Sequence, residues 1–367
     1  MQFTGSRKLF WLSASTILLV SSVYVSMTGA QGAQGGAAPA AAQVQVVNVT
    51  QRGVPPTGPS PIVVEHDQRL ATHTIYRPVT LGPSKHSVLV WGEGGCAKNG
   101  LTFPEFLSEI ASYGFVVVAD GPPIQQAPRG QAGAGGGAAG PAGQGRGQAP
   151  AAPGAPAPAA NAPRGGPGAG AAPAGGARGA GAPAGGARGG GINADGAPLT
   201  AAIDWLAREA ADSSSRFYQK VDTTRVAAMG MSCGGLMSYN VSADPRVATV
   251  GIWNSGLIQP DEKIFAGLHS SVIIVTGGES DIAYANGKRD FETLPARVPV
   301  FYGVHPSVGH GGTYNEDNGG AFGVAAVAWL KWQLTNDTSA KGKGYFVGAP
   351  CGMCSDPKWK ADSRSLQ

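Results

Sequence analysis

Charged residues are scarce in this sequence, at 14% of 367 residues, and acidic residues are missing altogether from one long stretch. Residues 125–192 contain five arginines and no aspartate or glutamate. When these five charges and those of Arg7 and Lys8 are removed from the formal net charge of +4, the rest of the chain carries −3. A basic folded surface is therefore not indicated, and the charge pattern predicts no nucleic-acid partner.

Metal-ligand spacing is missing as well. The six histidines and four cysteines form no cluster with the spacing of a metal site, so no metal is predicted. Cys351 and Cys354 have C-x-x-C spacing but lack the strand and helix of a redox motif, which favours a structural disulfide. Cys96 and Cys233 either bond to each other or remain two small buried thiols.

The first thirty residues are typical of a secretory signal peptide. Arg7 and Lys8 precede an apolar run over 9–25, and the small residues 28–30 resemble a cleavage site. An uncleaved membrane anchor is the alternative, since the apolar run is nearly long enough to span a bilayer, but its serines and threonine favour removal. We expect a secreted or periplasmic protein without stable membrane insertion, beginning with a flexible leader over 31–43.

Residues 125–192 consist almost entirely of Gly, Ala, Pro, Gln and Arg, and the octapeptide APAGGARG occurs twice, from Ala172 and from Ala182. Such a composition cannot bury a core, so this insertion is predicted to be disordered. We interpret it as a tolerated insertion in a surface loop, because the entropy of loop closure grows only slowly with length. A surface-adhering tether that uses the arginines is the alternative.

The remainder alternates between apolar runs and helical patterns, which predicts one α/β domain over 44–367 with a mostly parallel central sheet flanked by helices. The opening strands, 61–65 and 73–79, are expected to be antiparallel. The further predicted strands are 87–91, 115–119, 226–229, 247–253, 271–276 and 298–302. The predicted helices begin near 104, 199, 236 and 322, and end near 113, 211, 241 and 334.

The run GMSCG, residues 230–234, lies between the predicted strand 226–229 and the helix 236–241. Strand, sharp turn and helix around G-x-S-x-G is the nucleophile elbow of α/β-hydrolases, in which the turn holds a serine clear of the chain. Ser232 is therefore the candidate nucleophile. The helix that follows points its N-terminal end back toward the serine, so the amide of Cys233 is a candidate oxyanion donor.

An activated serine needs a base and an acid that orients the base, and both are expected after later strands. Asp281 follows the predicted strand 271–276, with Glu279 as its rival. His310 lies between glycines in the loop after the next strand and is favoured as the base over His305, which a proline fixes in an extended segment.

The second oxyanion donor is expected from the glycine-rich loop after strand 87–91. Glu93, Gly94 and Gly95 are equal candidates for the amide. Trp253 closes another strand and is predicted to lie near the cleft, either as a core residue or as an aromatic floor for an acyl or aromatic ester group.

Over residues 62–359, without the insertion, the chain resembles secreted α/β-hydrolases of the cutinase-like and polyester-hydrolase-like branch, which are related to dienelactone hydrolases. The resemblance is carried by the elbow, by the GGESD run that ends at Asp281, by His310 and by the closing helix with its cysteine-containing tail. It implies a cofactor-free esterase with an α/β-hydrolase fold and an open groove. The residues that it assigns are Ser232 as nucleophile, His310 as base, Asp281 as orienting acid, Cys233 as oxyanion donor and Trp253 as substrate contact.

The predicted function is the hydrolysis of small or polymeric carboxylic esters by a Ser-His-Asp triad. A peptidase or an acyltransferase on the same triad is an alternative, distinguished by the leaving group or acceptor. A non-catalytic surface-binding protein that uses the arginine-containing insertion is a third interpretation.

Overall fold

The computed structural model describes residues 44–49, 54–125 and 194–366. The predicted signal peptide, the leader and all but the first residue of the predicted insertion lie outside these residues. The strands are β1 Val44–Val46, β2 Ile62–Asp67, β3 His73–Pro78, β4 His86–Gly92, β5 Val116–Asp120, β6 Val221–Met231, β7 Val247–Trp253, β8 Ser271–Thr276, β9 Val300–Val304 and β10 Lys360–Arg364. The helices are α1 Pro104–Ser112, α2 Ala197–Ala211, α3 Cys233–Val241, α4 Glu262–Gly267, α5 Tyr284–Thr293, α6 Gly320–Thr335 and α7 Gly352–Ser355.

All ten strands form one mixed sheet in the order β1-β2-β3-β5-β4-β6-β7-β8-β9-β10. The six strands from β5 to β9 in this order run parallel, whereas β1, β2, β3 and β10 pair antiparallel with their neighbours. The predicted mostly parallel sheet and the antiparallel opening pair are therefore confirmed.

The sheet is buried on both faces, which explains the continuous apolar runs of its central strands. On β4, Val88 and Val90 belong to a core cluster with α2 and α3, whereas Leu89 and Trp91 belong to a second cluster with α1 and α6. Side chains alternate between the two faces of a strand, so each strand contributes to both clusters.

Five elements were not predicted, and one of them is α7, a helix of only four residues. Helix α5 is polar, and its buried positions are Gly287, Asp290 and Phe291, which leaves little apolar signal in the sequence. Strand β10 consists mainly of exposed polar residues at the edge of the sheet, and β1 and α4 are short. Within the described ranges, no helix combines the length and the apolar character needed to cross a membrane.

Candidate active site

Ser232 lies at the turn between β6 and α3, as the elbow pattern predicts. It has φ 53° and ψ −112°, a backbone conformation that a residue with a Cβ rarely adopts. Its carbonyl oxygen accepts hydrogen bonds from the Gly235 amide and, at 2.6 Å, from the Ser255 hydroxyl. The surrounding contacts therefore hold the serine in a strained turn that lifts its side chain away from the strand.

Close backbone packing makes this turn possible. A Cβ atom added to Gly234 would lie 1.8 Å from the carbonyl oxygen of Gly92, and one added to Gly230 would lie 2.3 Å from the carbonyl carbon of Gly234. Only glycine fits at such distances. The elbow is thereby pressed directly against the end of β4, where the loop 93–96 begins.

His310 and Asp281 meet Ser232 at the carboxyl ends of the parallel strands. The Nε2 atom of His310 lies 3.1 Å from Ser232 Oγ, and its Nδ1 atom lies 2.6 Å from Asp281 Oδ1. Asp281 is buried, whereas the His310 side chain is partly exposed. The arrangement is an unbroken chain of hydrogen bonds from a buried carboxylate through an imidazole to a hydroxyl.

The protein environment keeps Asp281 ionised. Burial alone would raise the pKa of this carboxyl, but hydrogen bonds from His310, from the amides of Gly277 and Ala283, and from the Asn254 side chain outweigh burial and lower the pKa. A carboxylate in this position fixes the tautomer of the imidazole and stabilises its protonated form.

The structure distinguishes between the rival residues. Glu279 is exposed and lines a separate cavity with Tyr284 and Lys360, away from Ser232. His305 is buried against Phe322 and Trp359. Neither of the two rivals therefore belongs to the hydrogen-bonded chain.

Asn254 and Tyr314 also belong to the site and were missed by the sequence analysis. The fully buried Asn254 amide donates to Asp281 Oδ2 at 2.8 Å and to the carbonyl oxygen of Gly309, beside His310, at 3.0 Å. Its own oxygen accepts a hydrogen bond from the Tyr314 hydroxyl at 2.6 Å. Asn254 directly follows β7, a position where its side chain could have been suspected, but Tyr314 carries no such signal.

The two predicted sources of oxyanion donors flank Ser232. Cys233 is the first residue of α3, where a backbone amide has no acceptor within the helix. Gly95 lines the same cleft, has φ 65° and is exposed. Gly94 packs against the Met231 side chain. Of the three loop candidates, Gly95 therefore has the most suitable position.

Glu93 faces away from solvent and is fully buried. Burial raises the pKa of its carboxyl well above the ordinary value, and the nearby Asp120 carboxylate raises the pKa further. Burial beneath the loop therefore favours the neutral, protonated form of this side chain.

The predicted role of Trp253 as a substrate contact is wrong. Its side chain is 0% exposed and packs against Phe106 and Phe322 in the core cluster of α1 and α6. Because side chains alternate along a strand, the last residue of β7 points to this covered face. The core interpretation of Trp253 is the correct one.

The cleft at Ser232 has a volume of about 230 Å³. Its apolar lining includes Leu236, Ile258 and Ile282, and the Ile282 side chain is 81% exposed at the rim. Leu236 and Ile258 also line an adjacent open groove of about 830 Å³. A ligand bound at Ser232 therefore has room to extend along the surface.

A disulfide joins Cys96 to Cys233, and a second joins Cys351 to Cys354. The first decides between the two alternatives left open for Cys96 and Cys233, and the second confirms the predicted structural bridge. Such bonds are typical of proteins in oxidising compartments.

No protein-family model matches the chain, and no curated protein matches it either. The resemblance to secreted esterases therefore stays a prediction, and function rests on the geometry of the site.

Proposed function

We propose that the protein is an exported serine hydrolase of the α/β-hydrolase fold that cleaves carboxylic esters. The observation that carries this proposal is the hydrogen-bonded chain from Asp281 through His310 to Ser232, with the serine in a strained turn between strand and helix. An activated nucleophile needs this combination of a base, an orienting acid and a hydroxyl that lines the cleft. The two disulfides and the signal-like N-terminal sequence support export.

In the acylation step, Ser232 Oγ attacks the ester carbonyl carbon while His310 Nε2 accepts the hydroxyl proton. The negative charge on the carbonyl oxygen is stabilised by the amides of Cys233 and Gly95. Asp281 stabilises the imidazolium. His310 then donates the proton to the alcohol oxygen as the ester bond breaks, which leaves an acyl group on Ser232.

Water completes the cycle. His310 is reachable from solvent, since its side chain is 27% exposed. It removes a proton from the incoming water as the water attacks the acyl carbon, and it returns the proton to Ser232 as the carboxylic acid leaves. The cycle uses residues of this chain alone.

The test uses p-nitrophenyl butyrate, whose short apolar acyl chain suits the small apolar cleft. Ser232→Ala is expected to lower kcat by about 10⁴-fold or more, because the nucleophile is removed. Ser363→Ala, on the exposed edge strand β10, is the matched control and keeps the parent rate. An equal rate in folded Ser232→Ala protein would refute the proposal.

A further inference from the structure

The Cys96–Cys233 disulfide connects the two segments from which the oxyanion donors are proposed to come. Cys233 directly follows Ser232, and Cys96 directly follows Gly95, although the two cysteines are 137 residues apart in the sequence. Both cysteines line the cleft. The Cα atoms of the bonded pair are 5.2 Å apart. The bond therefore spans the site itself.

The loop on the Cys96 side is anchored by the buried Glu93 and by the contact of Gly94 with Met231, but its Gly95 end is exposed. It contains two glycines, Gly94 and Gly95, which contribute no side chain to a core, and Gly95 and Cys96 both have left-handed φ angles. The residues that follow, Ala97 and Lys98, are exposed. A loop of this kind has many conformations available, and holding one of them has a high entropic cost.

The Cys233 side is held more firmly. Cys233 is a buried member of the core cluster of α2 and α3, and the glycine contacts press its helix against β4. A covalent bond from this fixed point to Cys96 restricts the conformations that the loop can adopt relative to α3. An oxyanion site requires this property, because its donors must already be in place when the charge develops.

We propose that the Cys96–Cys233 disulfide positions the oxyanion hole by fixing the Gly95 amide relative to the Cys233 amide, so that the hydrolytic rate depends on the intact bond. This inference rests on the proposed function. Cys96 is here a positioning residue, since it acts through the loop backbone. The Cys351–Cys354 bond closes a short turn at α7 and offers a matched control in the same chain.

The first test compares C96A/C233A with C351A/C354A, using p-nitrophenyl butyrate and counting active sites by titration with diethyl p-nitrophenyl phosphate. In C96A/C233A, kcat per titrated site is expected to fall by about 10- to 100-fold, somewhat less than the loss of a whole donor. KM stays within about twofold of the parent value. The Ki of butylboronic acid, which forms a tetrahedral adduct on the serine, rises in parallel with the fall in kcat. C351A/C354A keeps the parent values.

A role restricted to folding would lower the number of titratable sites and the melting temperature, and would leave kcat per titrated site unchanged. That result, in protein with Ser232-dependent turnover, would overturn this inference alone. An unchanged rate in Ser232→Ala would overturn the proposed function and this inference with it.

The second test avoids dependence on the folding of the double variant. In C351A/C354A protein, dithiothreitol reduces Cys96–Cys233 by two exchanges: two electrons and two protons pass to the cysteine sulfurs, and the dithiol closes to its cyclic disulfide. The rate is expected to fall as two thiols appear and to recover on reoxidation, with unchanged circular dichroism. A constant rate of hydrolysis in protein with two free thiols would contradict the inference. Unfolding of both the reduced protein and C96A/C233A would contradict it as well, because the bond would then be needed for folding.

Discussion

Asp281 receives hydrogen bonds from two directions, because His310 approaches from the cleft and Asn254 from the core. Asn254 in turn is held by the hydroxyl of Tyr314, which is fully buried among aromatic rings. The carboxylate therefore cannot rotate without breaking contacts on both sides. At the scale of single residues, the orientation of the catalytic imidazole in the proposed mechanism depends on this buried network.

Replacing Asp281 by asparagine is expected to lower kcat by about 10⁴-fold, because an amide in this position favours the wrong imidazole tautomer and cannot stabilise imidazolium. The measurement is the steady-state hydrolysis of p-nitrophenyl butyrate. Glu279→Gln is the matched control, because Glu279 is exposed two residues away and lines another cavity. A larger loss in Glu279→Gln than in Asp281→Asn would show that the acid has been assigned to the wrong residue.

Sequence reasoning reaches those site residues that follow a recognisable strand or motif. Ser232, Asp281 and His310 each lie in the turn or loop that follows an apolar run, and their order matches a known pattern. Tyr314 lies in a loop, and its contact with Asn254 depends on how α1 and α6 pack around it. The face to which Trp253 points was misjudged because the sequence shows where β7 ends but not which cluster covers its last residue.

At the scale of elements, the contact between β4 and α3 leaves no room for an added side chain. Gly234→Ala is expected to lower the free energy of unfolding by about 3 kcal/mol or more, because the added Cβ would overlap the Gly92 carbonyl oxygen and force the backbone apart. Gly82→Ala is the control, since a Cβ there has no neighbour within 4 Å. Urea unfolding measures the stability of both variants. Equal urea midpoints for Gly234→Ala and Gly82→Ala would disprove the close contact between Gly234 and Gly92.

The central elements were predictable because burial on both faces leaves long apolar runs, as in β4 and β8. Helix α5 was not, because it turns Gly287 and Asp290 toward the protein and most of its other residues toward solvent. Asp290 accepts a hydrogen bond from the Leu257 amide at 2.6 Å, so its buried carboxyl has a structural partner that no periodicity reveals. Elements held by polar contacts are thus harder to predict than those held by apolar area.

At the scale of the whole molecule, the proposed machinery lies in two stretches, 92–96 and 230–314. Replacing residues 126–193 by a short Gly-Ser linker is therefore expected to leave kcat for p-nitrophenyl butyrate within about twofold of the parent value, since none of the site residues is removed. Loss of turnover in folded protein lacking this segment would contradict that expectation and would give the segment a role in hydrolysis.

Stability is expected to depend on pH through His73, which is buried, with Nε2 donating to the Pro198 carbonyl and Nδ1 accepting from the Thr72 hydroxyl. The pKa of His73 is lowered from 6.5 to about 4. Burial is the largest cause, the hydrogen bond to the Pro198 carbonyl opposes it, and the Lys98 charge adds to it. Between these two values the unfolded chain binds a proton that the folded protein does not. The free energy of unfolding should therefore fall by about 3 kcal/mol as the pH drops through this range.

Urea unfolding at several pH values between 6.5 and 4 measures this dependence. In His73→Gln, the free energy of unfolding is expected to lose the part of its pH dependence that His73 contributes. The control His269→Gln, at an exposed position, is expected to keep the pH dependence of the parent protein. If the free energy of unfolding changes equally with pH in the parent and in His73→Gln, His73 is not the source of this pH dependence. Asp120 lies opposite His73 where β3 and β5 pair, and burial raises the pKa of its carboxyl. Asp120 therefore also contributes to the pH dependence, and both variants keep it so that its contribution is the same in each.

The two outer strands of the described sheet also bear on how copies of this protein meet. One edge is β1, three residues long, and the other is β10, where Lys360, Asp362 and Arg364 interrupt any apolar pattern. Short length and charge are the two means by which natural sheets prevent strands of another copy from adding to an open edge. Over the described residues, a ten-stranded sheet with such edges is therefore expected to resist edge-to-edge association between copies of this protein.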